Sequence, residues 1–81
     1  MKNNNIGKRI AEARINKHIT QEHLEELSGL SVSTISRIET GKYMPTIENL
    51  LKLSEILDVG LDYFQYFYNV FSLAFTHLIH D

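Results

Sequence analysis

Apolar residues recur at steps of three and four along most of the chain, the spacing that keeps side chains on one side of an α-helix. This periodicity predicts helices over residues 6–17, 20–28, 31–40 and 46–59. No alternating β-branched run is long enough to predict a strand, so the predicted fold class is all-α. The predicted inward-facing positions are Ile6, Ile10, Ala13, Leu24, Leu27, Leu30, Ile35, Ile38, Ile47, Leu50, Leu51, Leu53 and Leu57.

Residues typical of helix ends separate the predicted helices from one another. Thr20 and Ser31 precede the second and third helices, where a hydroxyl can accept from an unpaired backbone N–H, and Thr46 does the same for the fourth. Gly29 stands where the chain must reverse, and Gly41 follows the third helix, where a left-handed conformation is needed. Two helices about a glycine turn form a helix-turn-helix unit, whose second helix can enter a DNA major groove.

The segment after Gly60 has a different composition. It holds seven of the eight aromatic residues, and its polar residues fall on a narrow stripe at steps of three and four. The apolar side of such a helix is wider than one small bundle can cover, which is typical of an interface. We interpret residues 63–81 as a self-association segment attached to a domain of residues 1–62; an extended monomer core is the alternative. The predicted dimer contacts are Phe64, Phe67, Phe71, Phe75 and Leu78.

The net charge of −2 by itself disfavours nucleic-acid binding, but the charges are unevenly distributed along the chain. Residues 1–45 carry seven basic and five acidic side chains, whereas residues 46–81 carry one basic and five acidic side chains. The positive part therefore coincides with the helix-turn-helix, where phosphates would lie.

The composition also argues against several other classes. The chain has no cysteine and no apolar N-terminal run, so we expect a protein of the reducing cytoplasm without a signal peptide. Residues 63–79 lack charge but barely reach the ~17-residue minimum for a membrane span and have no basic flanks. His77 and His80 with Asp81 are a weak metal-binding pattern, so we predict no metal and no other cofactor.

The third predicted helix carries the candidate DNA contacts. With Ile35 and Ile38 facing inward, its other side chains can meet a nucleic acid, although an ordinary solvated helix face is the alternative. Arginine can bond guanine through two atoms, hydroxyls suit several base edges, and valine can touch a thymine methyl group. The available side chains are Val32, Ser33, Thr34, Ser36 and Arg37.

Other polar residues either support DNA binding or the fold, or are simply exposed to solvent. Gln21, at the start of the second helix, can donate to a phosphate, and Lys42 can follow the DNA backbone or remain a solvated loop lysine. Arg14 faces inward and needs a partner; Glu39 is the candidate, unless both charges are solvated. Glu25, like its acidic neighbour at position 26, is interpreted as part of a solvated face. No nucleophile, base and pocket occur together, so an enzyme is not predicted.

These segments resemble the Cro/repressor helix-turn-helix family, also called the xenobiotic-response-element family. The resemblance is carried by IGKRIAEAR, TQEHLEELSGLSVSTISRIETGKYMP and TIENLLKLSEILDVGLDYF, within residues 6–64. It implies a compact five-helix domain, here with the last helix extended at the C-terminus, that binds operator DNA, usually as a two-fold dimer. Glu25 departs from the family pattern, which places alanine there because the two motif helices pack closely.

The resemblance also implies roles for individual residues. Val32, Ser33 and Arg37 match positions that meet base edges, and Arg14 with Glu39 matches an internal salt bridge. The positions that match DNA-backbone or supporting contacts are Gln21, Thr34, Ser36, Thr40 and Lys42.

Together, these observations predict a homodimeric, sequence-specific regulator of transcription that binds double-stranded DNA, with repression the expected mode. The alternative is an antitoxin or adaptor-type protein-interaction module that holds a partner protein with its apolar C-terminal helix. The acidic net charge and the aromatic segment favour that alternative, whereas the mostly positive reading surface disfavours it.

Overall fold

The computed structural model describes residues 4–60, 63 and 64, and this part of the chain contains four α-helices and no strand. They are α1 (Asn4–Asn16), α2 (Gln21–Ser28), α3 (Val32–Glu39) and α4 (Ile47–Leu57). The predicted all-α class is confirmed for these residues. The predicted fifth helix lies beyond them, apart from the short turn at Tyr63 and Phe64.

Local chemistry sets the helix ends as the sequence predicts. The hydroxyls of Thr20, Ser31 and Thr46 each accept from the backbone N–H three residues further on, at 3.0–3.1 Å. These bonds satisfy donors that have no partner within the helix. Gly29 and Gly41 both have φ of +80°, the left-handed conformation that glycine adopts after a helix end at little cost.

One apolar core joins all four helices. α3 packs against both α1 and α2, and α4 also lies against both of those helices. Burial of each large apolar side chain stabilises the fold by roughly 1.5–3 kcal/mol relative to leaving it exposed. The core therefore fixes the position of α3, whose outer side remains at the surface. The buried apolar residues are Ile6, Ile10, Ala13, Leu24, Ile35, Ile38, Leu50, Leu53, Leu57 and Phe64.

The core-facing side of α2 differs from the predicted one. Leu24 is buried, but the next buried position is Ser28, four residues on, and Leu27 is 51% exposed. The prediction for Leu27 is therefore wrong. Ser28 is accommodated because its hydroxyl accepts from the backbone N–H of Leu30 at 3.0 Å, which satisfies a polar group that would otherwise be costly to bury. Leu30 packs at the edge of the core, and Glu25 is exposed.

The apolar stripe of α4 is narrower than predicted. Leu50, Leu53 and Leu57 are buried, at 1–3% exposure. Ile47 and Leu51 are 58% and 48% exposed, so their assignment to the core is wrong. The three buried leucines and the partly buried Ile56 form the side of α4 that meets the core, and Leu51 lies about 100° around the helix from Leu50.

Phe64 belongs to the subunit core and not to a dimer surface. Its side chain is 0% exposed, and the neighbouring Tyr63 ring packs edge-on against it with centroids 5.7 Å apart. Tyr63 also lies under the guanidinium of Arg9, 5.1 Å from the ring centroid, and its hydroxyl lies 3.4 Å from a carboxylate oxygen of Glu12. The predicted dimer contact at Phe64 is therefore wrong, because its own core covers the side chain. The packed unit extends at least to this residue.

The backbone of α1 passes close to the end of α3 at Gly7. A Cβ at Gly7 would lie 2.2 Å from the carbonyl oxygen of Ile38 and 3.1 Å from that of Glu39. Only glycine allows α1 to pass so close to α3.

None of the helices in the part of the chain that the structure describes has both the length and the apolar character of a membrane span. In that same part, no three acidic or histidine side chains group to hold a metal ion.

Candidate nucleic-acid interface

The outer side of α3 is a continuous accessible surface. Ile35 and Ile38 are 1% exposed and fix the inner side, whereas Ser33 and Arg37 are exposed on the opposite side. Because Ser33 and Arg37 are four residues apart, their side chains are neighbours on the helix surface. The remaining predicted contacts on this helix, all half-buried, are Val32, Thr34 and Ser36.

The N-terminal end of α3 is electropositive and free of carboxylates. Its first turn contains no acidic residue, so the partial positive charge of the helix end is not neutralised there. The hydroxyl of Ser31 accepts from the backbone N–H of Thr34 at 3.1 Å and lies 3.0 Å from the Thr34 hydroxyl. The Thr34 side chain is therefore tied to the helix cap, which suits a supporting role better than base recognition.

The loop after α3 folds back onto the helix end. The backbone N–H groups of Lys42 and Tyr43 both donate to the carbonyl oxygen of Arg37, at 2.8 and 3.1 Å. The hydroxyl of Thr40 donates to the carbonyl oxygen of Ser36 at 2.9 Å. These bonds fix the backbone that carries the exposed side chain of Lys42. This lysine therefore lies at the end of the same helix that exposes Arg37.

A largely enclosed ion pair joins α1 to the end of α3. The guanidinium of Arg14 contacts both carboxylate oxygens of Glu39, with Nε–Oε2 at 2.7 Å and Nη2–Oε1 at 3.1 Å, and its Nη1 donates to the carbonyl oxygen of Ile19 at 2.9 Å. The two side chains are 14% and 7% exposed. Hydrogen bonding to Glu39 raises the pKa of Arg14 despite the opposing effect of burial, so the guanidinium stays charged.

Gln21, the predicted phosphate contact on α2, extends this cluster. Its Nε2 donates to Oε1 of Glu39 at 3.0 Å. A glutamine amide carries two N–H groups, so one bond to Glu39 leaves donor capacity for a phosphate. The start of α2 and the end of α3 are thereby joined through the carboxylate of Glu39.

The structure brings most of the predicted site residues together. The α3 residues, Lys42 and Thr40 lie on one helix and the loop that follows it, and Gln21 is attached to the end of that helix. Of the predicted dimer contacts, only Phe64 is described, and it is internal. The others, Phe67, Phe71, Phe75 and Leu78, lie outside the described residues.

Two positions that hold this surface in place were missed by the sequence reasoning. Gly7 permits the close approach of α1 to α3, and a glycine inside a helical pattern was the available signal. Lys52 of α4 donates from Nζ to the carbonyl oxygen of Ser28 at 3.1 Å, which satisfies an otherwise unpaired acceptor at the end of α2. No sequence spacing indicates that contact, because it depends on how α2 and α4 pack.

Comparisons with known proteins agree with this geometry. The model of the helix-turn-helix family matches residues 10–64. The HTH-type transcriptional regulator PuuR of Escherichia coli (strain K12) is 41% identical over 58 residues, which are 72% of this chain and 31% of PuuR. The cryptic phage CTXphi transcriptional repressor RstR of Vibrio cholerae serotype O1 is 32% identical over 57 residues, 70% of this chain and 51% of RstR. The match therefore spans only about a third to a half of these two relatives.

The similarity to one protein of known structure extends over most of that protein. The restriction-modification controller protein C.AhdI from Aeromonas hydrophila superposes with a TM-score of 0.72 at 34% sequence identity. The alignment covers 76% of this chain and 94% of C.AhdI. The similarity to C.AhdI thus extends over nearly the whole of C.AhdI, whereas the matches to PuuR and RstR cover only part of those proteins.

Proposed function

Because the chain belongs to the helix-turn-helix family, we propose that it binds double-stranded DNA and regulates transcription, with repression as the mode. The observation that carries the proposal is the outer side of α3, which exposes Ser33 and Arg37 while Ile35 and Ile38 anchor the helix. A helix anchored in this way can enter the major groove without rearranging its core.

The proposed contacts divide into base reading and DNA-backbone binding. Val32, Ser33 and Arg37 would meet base edges, since an arginine can bond guanine through O6 and N7 and a valine can touch a thymine methyl group. Backbone contacts carry no sequence information but set the register of the protein on the duplex. The residues proposed for backbone or supporting contacts are Gln21, Thr34, Ser36, Thr40 and Lys42.

We further propose that the protein acts as a homodimer. The aromatic composition and narrow polar stripe of residues 65–81 support a fifth helix that forms the seam, with Phe67, Phe71, Phe75 and Leu78 as its apolar contacts. Two subunits would then place α3 in successive major grooves, with half-sites ~34 Å apart. The proposed self-association segment begins after Phe64, because that side chain is internal.

The test is selection from a randomised DNA duplex at ~150 mM salt, which suppresses purely electrostatic binding. The expected result is enrichment of a two-fold symmetric site by the full chain. The Arg37→Ala variant is the matched control, since it retains the core and the loop but lacks the proposed bidentate contact, and it should enrich a site that is degenerate at one base of each half.

Two other outcomes have distinct meanings. Enrichment of a single half-site would keep DNA reading and refute the dimeric arrangement. A folded protein that enriches no sequence would refute the proposed function and favour the protein-interaction module that the apolar C-terminal segment also suggests.

A further inference from the structure

The carboxylate of Glu39 serves two donors from two other parts of the fold. Arg14 of α1 binds it through Nε and Nη2, and Gln21 of α2 binds Oε1 through Nε2 at 3.0 Å. The Glu39 side chain is 7% exposed, whereas Gln21 is only half-buried. The cluster thus has an enclosed anion at its centre and an amide that reaches the surface.

The chemistry of this contact permits only one orientation of the amide. An ionised carboxylate accepts hydrogen bonds and cannot donate them, so a reversed Gln21 amide would place its carbonyl oxygen against another oxygen. The two-point contact with Arg14 holds the carboxylate itself in one plane. The nitrogen of Gln21 is therefore held toward the end of α3, with its second N–H fixed relative to both motif helices.

We propose that Glu39 is a positioning residue for DNA binding, which acts by fixing the amide of Gln21 in the orientation that donates to a phosphate. The inference rests on the proposed function, because it assigns to Glu39 the preorganisation of one of the proposed DNA contacts. A side chain ordered in advance loses less conformational freedom on binding, which corresponds to about a 2- to 12-fold gain in affinity.

A double-mutant cycle tests the proposal with the full chain and a 20-base-pair duplex of mixed sequence at ~50 mM salt, where phosphate contacts dominate affinity. The variants are Gln21→Ala, Glu39→Gln and the pair together. Glu39→Gln keeps the shape of the side chain but offers an amide, which can accept from or donate to Gln21 in either orientation. Leu53→Val, a core change that leaves Arg14, Gln21 and Glu39 unaltered, is the control for a general loss of stability.

The proposal predicts that Glu39→Gln weakens binding about 2- to 12-fold in the native background and has no further effect when residue 21 is alanine. A purely structural role would give the same loss in both backgrounds, and that result would overturn the proposal. Leu53→Val should leave the affinity unchanged at a temperature where all the variants are folded.

A second measurement does not depend on the folding of any variant. In the unaltered, 15N-labelled protein, the Nε2 group of Gln21 should show restricted motion, and its bonded proton should resonate well downfield of the corresponding proton of a solvated glutamine. Rapid motion and the shifts of a solvated glutamine would overturn the proposal.

Failure of this inference can be told apart from failure of the proposed function. If Gln21→Ala binds DNA as well as the native protein while Arg37→Ala loses site preference, the positioning role is wrong and the DNA function stands. If the native protein does not bind the duplex at all, both are wrong.

Discussion

Replacing Gly7 with alanine sets helix propensity against tertiary packing. By propensity alone, Gly→Ala inside a helix stabilises by about 1 kcal/mol. The added Cβ would lie 2.2 Å from the carbonyl oxygen of Ile38 and 3.1 Å from that of Glu39. These obstructing atoms belong to the backbone of α3 and cannot rotate away, so a cost of about 3 kcal/mol, the upper end for overpacking, applies. The net expectation is a loss of about 2 kcal/mol in the free energy of unfolding.

Urea denaturation followed by circular dichroism measures this loss directly, at one fixed protein concentration because a dimer would make stability concentration-dependent. The matching fall in melting temperature is roughly 8–16 °C for a domain of this size. Gly29→Ala is the control for the loss of a glycine without a clash. No atom lies within 4 Å of its added Cβ, so any loss of stability there comes from the backbone conformation at φ of +80°. Asparagine tolerates that conformation, so it should rescue position 29 but not position 7. A Gly7→Ala variant as stable as the native protein would refute the close approach of α1 to α3.

Four further substitutions test the site and the core. Arg37→Ala should cost ~1–3 kcal/mol of DNA-binding free energy and relax the choice of one base, as measured by competition between single-base variants of the selected site. Lys42→Ala should weaken binding to all sequences alike and lower the salt slope of binding by about one; a change in base preference would contradict its backbone role. Arg14→Met should lower the free energy of unfolding in urea by about 3 kcal/mol, because it leaves the enclosed carboxylate of Glu39 without its charge partner. Phe64→Ala should lower it by about 3–5 kcal/mol, whereas a variant that keeps its melting temperature and only dissociates would place Phe64 at a subunit surface.

The helix boundaries could be predicted because they depend on short-range chemistry. A hydroxyl at Ser31 or Thr46 bonds a backbone N–H only three residues away, and a left-handed turn at Gly29 requires no distant partner. Such features are fully encoded by a few adjacent residues. The inner position of Ile35 also followed from spacing, because α3 is enclosed by helices on its inner side and polar on its outer side.

The width of each apolar side could not be predicted in the same way. Periodicity places Leu27 and Leu51 on the apolar side of a helix, but only the packed arrangement decides which part of that side meets a neighbour. In α2 the core takes Ser28 and leaves Leu27 exposed, and in α4 Leu51 stays 48% exposed. An apolar side chain at the surface costs little, whereas a serine is acceptable inside once its hydroxyl is bonded.

Phe64 shows the same difficulty at a boundary between predicted segments. It begins an aromatic run whose composition suggests an interface, yet its side chain is buried within the subunit. Composition describes a segment as a whole, while burial is decided residue by residue by the path of the chain. The turn at Tyr63, whose backbone N–H donates to the carbonyl oxygen of Gly60 at 3.0 Å, directs the chain back onto the core.

Apart from the core packing of Ile35 and Ile38, the contacts that hold α3 are concentrated at one of its ends. Its C-terminal end is fixed by the close backbone approach of Gly7, by the ion pair of Arg14 with Glu39, and by loop N–H groups that donate to the carbonyl oxygen of Arg37. Its N-terminal end, by contrast, is set by the local cap at Ser31. The side chains of Val32 and Ser33, proposed to read bases next to that cap, take no part in these C-terminal contacts. Under the proposed function, this separation would allow base preference to change at the start of α3 while the end proposed to contact the DNA backbone keeps its geometry.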